Sequence, residues 1–388
     1  MTELVNQGAF GCLYHPGIEC SGKPMDDRRY ATKLVVKDEV ADNEVAIGDI
    51  VKGIVNYGVN FVPVIDTCAV QLEKVHRHNP TALNKCDIVP KEAKEAKGAK
   101  NGVKKGAKKT DPKFILMKMP YIDSLYFYEY IDAMGDNKKK IISCIFDTYS
   151  YLIESIEQLV EHDVVHHDLK LQNILMNLKT DTPIIIDFGL SIPMKQVEQD
   201  AFWATHFYKY APEYYVWPLE VHVINYLQNV NDALSHDVVT SICERVVNAN
   251  AALSIFSKGF RARYLKTCIE QCEQWVGVDR GTACAAMVKS WPTWDNYALS
   301  IAYLQNLEFI SSKNGFTHNH LVIDYVELLL TNVHPDPARR KTVSDTKRAF
   351  TDLFYMNKNV ETYDNLVENF NVNAFVFAQA TVTPSLRS

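Results

Sequence analysis

Four residues in the middle of the chain have the types and spacing for phosphate chemistry. Asp168, Lys170 and Asn173 lie within His166-His167-Asp168-Leu169-Lys170-Leu171-Gln172-Asn173, and Asp187 follows in Asp187-Phe188-Gly189. Asp168 can take a proton from an incoming hydroxyl, and Lys170 sets a fixed positive charge beside it. Asn173 and Asp187 offer hard oxygen atoms, the ligands that suit a magnesium ion shared with substrate phosphates. Between the two groups run Ile174-Leu175-Met176, a turn near Asp181-Thr182-Pro183, and Ile184-Ile185-Ile186. Two short apolar runs around a turn predict a buried hairpin with polar residues at its ends.

Other elements must hold these groups. Asn6-Gln7-Gly8-Ala9-Phe10-Gly11-Cys12-Leu13 reads as a glycine-containing turn between strands, able to offer backbone N–H groups to an anion. Tyr30-Ala31-Thr32-Lys33-Leu34-Val35-Val36 reads as a strand, and the connection before it, His15 to Arg29, as an exposed loop. Glu39 to Ile54 carries an imperfect apolar stripe and reads as a helix; Phe61–Ile65 and Ala69–Leu72 read as strand material. Ser143 to Val160 is an amphipathic helix with one buried face, leading directly into the loop of Asp168.

The whole chain has 388 residues, 47% of them hydrophobic, enough for one large core or two linked ones. Its net charge of -6 does not suggest a nucleic-acid binder as a whole. No apolar run approaches the roughly 18 residues of a membrane span, and the first residues lack a secretory pattern. Nine cysteines without a dense framework predict free thiols in a reducing compartment; Cys268, Cys272 and Cys284 read as buried thiols rather than zinc ligands. Lys85 to Lys113 holds ten lysines against four acids, +6, which leaves -12 for the remainder. That segment is expected to be disordered or transiently helical, first of all a solvated surface insertion. Docking to an acidic partner or nucleic acid, and nuclear import, are its other readings.

In order, these segments resemble the motifs of protein kinases: a glycine-rich loop, a strand lysine, H-R-D-x-K-x-x-N with His167 in place of arginine, and D-F-G. The resemblance implies an α+β, bilobal kinase-like fold, with a small antiparallel-sheet N-lobe over 1–120 and a larger helical C-lobe over 121–356, then a tail over 357–388. It implies ATP with Mg2+, or Mn2+ in its place, and a protein acceptor, with no membrane involved. Nucleotide contacts fall to Asn6 (where the family has glycine), Gly8, Phe10, Gly11, Leu13, Ala31, Lys33, Met117, Met119 and Ser124. Glu44 becomes the partner of Lys33, with Glu39 and Asp42 as competitors. Asn173 and Asp187 become the metal ligands, and Asp168 the base assisted by Lys170.

Three further segments fit. Ala211-Pro212-Glu213 matches A-P-E, and its glutamate, expected to be buried, is assigned to Arg340 in Asp336-Pro337-Ala338-Arg339-Arg340. Trp294-Asp295 resembles the start of the long central helix, where Asp295 would accept backbone N–H bonds from the catalytic loop. The insertion between them, about 221–290, has apolar positions at helical spacing and is expected to be a packed helical insertion. His166 is expected to be packed, and His167 lacks the charge that meets an activation-segment phosphate, although Ser191 and Thr205 are available acceptors. Lys170 is typical of the serine/threonine class. The narrower resemblance is to serine/threonine kinases of large DNA viruses, implying an intracellular protein of host cytoplasm or virion. A kinase-fold scaffold without catalysis is the alternative.

Overall fold

The structure is a computed structural model; it describes residues 2–8, 11–89, 114–199, 201–314, 320–355 and 367–368. Phe10, the lysine-rich segment beyond residue 89, and nearly all of the expected tail lie outside the described residues. The chain forms two compact units. One comprises the residues up to Asp123 together with Ile186–Leu190; the other comprises Ser124–Ile185 and the chain from Ser191 onward.

The first unit is built on a five-stranded antiparallel sheet, ordered β1-β2-β3-β5-β4, from β1 (Glu3–Gly8), β2 (Gly11–His15), β3 (Tyr30–Val36), β4 (Asp66–Val70) and β5 (Phe114–Pro120). Leu34, Phe114 and Leu116 pack on one face with Tyr14, Ile18, Val75 and Leu83; Val35, Ile115 and Met117 pack with Ala41 and Val64 on α1 (Glu39–Lys52) and the segment after it. Alternate residues of β3 and β5 thus serve two separate clusters, as the two-residue period of a strand requires. Helix α1 starts where Asp38 accepts the Ala41 N–H at 2.9 Å, with Glu39 and Asp42 in the first turn and Lys52 in the last. Two short helices, α2 (Leu72–His78) and α3 (Pro80–Asn84), complete the unit.

Three expectations change here. Phe61–Ile65 is not a strand: it crosses α1 so closely that a Cβ on Gly48 would lie 2.6 Å from the Val64 carbonyl oxygen. The His15–Arg29 connection is not wholly exposed, because Ile18 is in the core and its N–H bonds the Thr32 hydroxyl at 2.8 Å. Four of the nine cysteines are not free thiols: Cys12 pairs with Cys86 and Cys20 with Cys68, while Cys144, Cys243, Cys268, Cys272 and Cys284 remain free. The fold brings these partners together across 74 and 48 residues, a proximity no local spacing announces.

The second unit is mostly helical. Its helices are α4 (Phe127–Asp132), α5 (Lys138–Glu161), α6 (Phe202–His206), α7 (Leu219–Asn229), α8 (His236–Ala249), α9 (Lys258–Glu273), α10 (Arg280–Met287), α11 (Trp294–Asn314), α12 (His320–Asn332) and α13 (Val343–Tyr355). The core centres on aromatic rings of α5, α11, α12 and α13: Tyr149 lies edge-on to Tyr303 and Tyr325, and against Phe350. Small antiparallel pieces support the loop of Asp168. β6 (Ser124–Tyr126) pairs with β8 (Ile174–Asn177), which pairs with β9 (Thr182–Ile185) in the expected hairpin, and β7 (Val164–Val165) pairs with β10 (Ile192–Pro193). Helices α7 to α10 occupy the 221–290 stretch, with α8 against α9 and α7 against α10. Among the described residues no helix is long and apolar enough to cross a membrane.

Candidate active site

In the first unit, Lys33 projects from β3 and its Nζ lies 2.9 Å from both carboxylate oxygens of Glu44 and 3.1 Å from Oδ1 of Asp187. Glu44, not Glu39 or Asp42, faces the strand because it stands on the buried side of α1 with Ala41, Ile47 and Gly48. Burial works against the Lys33 charge, but Asp187 and Glu44 outweigh it and hold the ammonium well above its ordinary range. Burial pushes the Glu44 carboxyl upward, and Asp187 adds to that push while Lys33 opposes it. Asp187 keeps 39% of its side chain exposed and has a positive φ of 66°, an uncommon backbone state for a residue other than glycine. Phe188 anchors that turn, buried edge-on to Phe61 at 6.1 Å.

The glycine hairpin closes with Gly8 opposite Gly11. The two are not equivalent: a Cβ at Gly11 would come within 2.8 Å of the Leu34 carbonyl oxygen, whereas Gly8 has open space. Leu13 stands opposite Lys33, Ala31 opposite Met119, and Lys33 opposite Met117, so β3 gathers half of the expected nucleotide residues in one register. Asn6 lies in β1 just beyond an irregularity in its pairing. Met117 is fully buried and Met119 partly so. Ser124 falls in the second unit, on β6 opposite Asn177.

In the second unit, the loop after β7 brings Asp168, Lys170 and Asn173 together. Lys170 Nζ lies 2.9 and 3.1 Å from the two oxygens of Asp168. Asn173 Nδ2 donates to Asp168 Oδ2 and to its backbone carbonyl, both at 2.9 Å. Asp295, at the start of α11, accepts the N–H groups of His166 at 2.6 Å and His167 at 3.0 Å. Burial pushes its carboxyl upward, while His166 and these two N–H bonds pull it back.

His167 carries no charge to offer a phosphate. It has φ 64°, its ring is stacked on Trp217 at 4.9 Å, and neither ring nitrogen finds a hydrogen-bond partner. Burial, with some repulsion from His206, His166 and His222, pushes it down to about 3. Ser191 is not an accessible acceptor: it is fully buried and its hydroxyl bonds the His166 carbonyl at 3.1 Å.

The assignment of Glu213 to Arg340 is overturned. Glu213 is exposed and pairs with Arg245, while Arg340 grips Glu220 at 2.6 and 2.9 Å in a buried fork. The A-P-E role therefore belongs to Pro218-Leu219-Glu220, seven residues later. A proline directly before an apolar-periodic helix, α7, was the local signal that marked it. Sequence reasoning also missed Tyr214, whose hydroxyl donates to Asp168 Oδ1, and Trp217, whose indole N–H bonds the His167 carbonyl at 2.8 Å.

Each cluster has a chemistry of its own. A buried ammonium held by two carboxylates can grip phosphates, and a carboxylate beside an ammonium can accept a proton from a hydroxyl. Asn173 spends its amide N–H on Asp168, which leaves its carbonyl oxygen as a hard donor; the partly exposed Asp187 carboxylate of the first unit is another, and each by its own chemistry suits magnesium. No curated protein matches the sequence. A family model described as the protein kinase domain matches residues 103–223, the stretch that carries Asp168, Lys170, Asn173, Asp187, Tyr214 and Glu220. That match, over about a third of the chain, supports a place in the protein kinase superfamily, and the antiparallel-sheet unit followed by the helical one is consistent with the α+β fold of a protein kinase domain.

Proposed function

We propose that the protein is an ATP-dependent serine/threonine protein kinase, with motifs that resemble those of large DNA viruses. The observation that carries this is Lys33 Nζ within 3.1 Å of both Glu44 and Asp187, partners 11 and 154 residues away. A buried cation held in this way is preorganised for phosphate oxygens, and phosphoryl transfer depends chiefly on position and charge. Magnesium, held by Asp187 and Asn173, would offset the phosphate charge. Asp168 takes the proton of the acceptor hydroxyl as its oxygen bonds the γ-phosphorus. The bond from that phosphorus to the bridging oxygen breaks, and ADP leaves. Lys170 balances charge on the transferring group, and its place two residues after Asp168 supports serine or threonine as the acceptor.

The test is transfer from labelled Mg–ATP to a generic basic protein by the wild type and Asp168→Asn. Removing a general base should lower the rate by about 10²–10⁴-fold, with ATP binding retained and label on Ser or Thr in the wild type. Turnover that survives in the variant would sink the assignment of Asp168. Nucleotide binding without transfer in either protein would favour the scaffold.

A further inference from the structure

The glycine hairpin has an outer strand with little to hold it. β1 is an edge of the sheet, paired only with β2, and all of its residues except Leu4 are exposed. Its pairing is irregular between Leu4 and Asn6. The inner strand is pressed against β3, where a Cβ on Gly11 would meet the Leu34 carbonyl oxygen. The outer strand has few buried contacts to resist local opening.

The segment after α3 supplies what the sheet does not. Gln7 and Cys12 face each other across the hairpin, one pair before Gly8 and Gly11. Two successive residues of the segment fasten that pair. Cys86 is bonded to Cys12 through the disulfide. Asp87 meets Gln7 twice: its N–H donates to Gln7 Oε1 at 3.2 Å, and Gln7 Nε2 donates to its Oδ2 at 3.1 Å. The segment is itself rooted in the unit. Leu83, Cys86 and Val89 are buried in one cluster with Cys12, Tyr14 and Leu34. Asn79, buried just before α3, donates to the Gly22 carbonyl at 2.8 Å. The other disulfide, Cys20–Cys68, joins the His15–Arg29 connection to β4 and has no residue in either strand of the hairpin.

We propose that Cys86 and Asp87 are positioning residues for the nucleotide, holding the glycine hairpin where its backbone N–H groups take the phosphates. This rests on the hairpin being the phosphate cover of an ATP site. A hairpin held in place loses little further freedom on binding. A released one is competent only part of the time, and the apparent affinity falls by that fraction.

The test is calorimetric titration, without reductant, of Cys12→Ala/Cys86→Ala with Mg–ATP and with adenosine, beside the wild type and Cys20→Ala/Cys68→Ala. Adenosine lacks the groups that the hairpin would hold. A released hairpin competent about a tenth of the time raises the Kd for Mg–ATP about tenfold, with the Kd for adenosine unchanged. Cys20→Ala/Cys68→Ala also loses a disulfide and should bind Mg–ATP as the wild type does. Asp87→Ala keeps both disulfides and should raise the Kd for Mg–ATP about two- to fivefold, the scale of an exposed hydrogen bond. Equal Kd values for Mg–ATP in the wild type and Cys12→Ala/Cys86→Ala would overturn the proposal. So would a parallel loss of adenosine affinity, or the same loss in Cys20→Ala/Cys68→Ala, since the disulfide would then only support the fold. Should Cys12→Ala/Cys86→Ala fail to fold, Asp87→Ala decides, and an unchanged Kd for Mg–ATP there would overturn the proposal. A wild type that does not bind Mg–ATP at all would mean that the nucleotide reading itself fails, and the proposal with it.

Discussion

Arg340 reaches Glu220 rather than Glu213, and the difference of seven residues separates a buried ion pair from a surface one. Arg340 has a side chain 0% exposed, bonds both oxygens of Glu220, and bonds the His334 carbonyl at 2.8 Å. Glu220 accepts in addition from the Trp294 indole and the Ser290 hydroxyl, both at 3.0 Å. Each side-chain nitrogen and oxygen of the pair has a hydrogen-bond partner, the condition under which buried charge is tolerated.

Truncating one side of that pair leaves the other charge stranded. Arg340→Ala should destabilise the protein by about 3–5 kcal/mol. Arg245→Ala should cost less than about 1 kcal/mol, since its pair with Glu213 is solvent-screened. Urea unfolding of the two variants checks this; equal costs would refute the assignment of Glu220.

Glu44→Gln keeps the shape beside Lys33 and removes a charge. A charge-assisted bond contributes about 1.5–3 kcal/mol, so kcat/KM for ATP should fall by about 10–100-fold. Titration with Mg–ATP at fixed acceptor measures it. Unchanged kinetics would mean that the pairing of Lys33 with Glu44 does not serve the nucleotide.

His167 and His222 are both buried; burial first, and for His167 neighbouring histidines second, hold them at about 3 and about 4. In the unfolded chain both return to about 6.5. Between these values the unfolded state binds more protons, so their contribution to stability is full above pH 6.5 and is lost as pH falls toward 4. Each proton adds a slope of about 1.4 kcal/mol per pH unit. Replacing His167 by Phe should flatten the measured stability–pH curve in that window. Replacing it by Arg should destabilise the protein rather than make it responsive to phosphorylation, because the charge would enter a cage of Trp217, Phe207 and Trp294.

The two disulfides close loops of 74 and 48 residues around the sheet of the first unit. Each should stabilise the fold by about 2–4 kcal/mol through restriction of the unfolded chain. Alkylation followed by peptide mapping should leave Cys12, Cys20, Cys68 and Cys86 unlabelled until a reductant is added, and Cys144 labelled first among the free thiols. Labelling of Cys12 without reductant would refute its pairing.

What the sequence determined by itself is the chemistry that lies within short reach. Asp168, Lys170 and Asn173 meet because one loop spans them, and Lys33 meets Glu44 because a strand followed at once by a helix leaves few geometries for residues 11 apart. The hairpin of β8 and β9 was legible for the same reason: apolar runs and a turn specify a local pairing. Contacts closed over long stretches were decided by tertiary packing. Glu213 stands directly after Pro212 and Glu220 two residues after Pro218, and only the fold shows which is buried against a partner 120 residues away. The cysteine pairs each join a strand to a segment outside the sheet, and Tyr214 needed the turn that carries it over 46 residues to Asp168. Local spacing limits what neighbours can do. Distant partners are selected by burial, which removes water as the alternative partner and leaves each polar group only those the fold supplies.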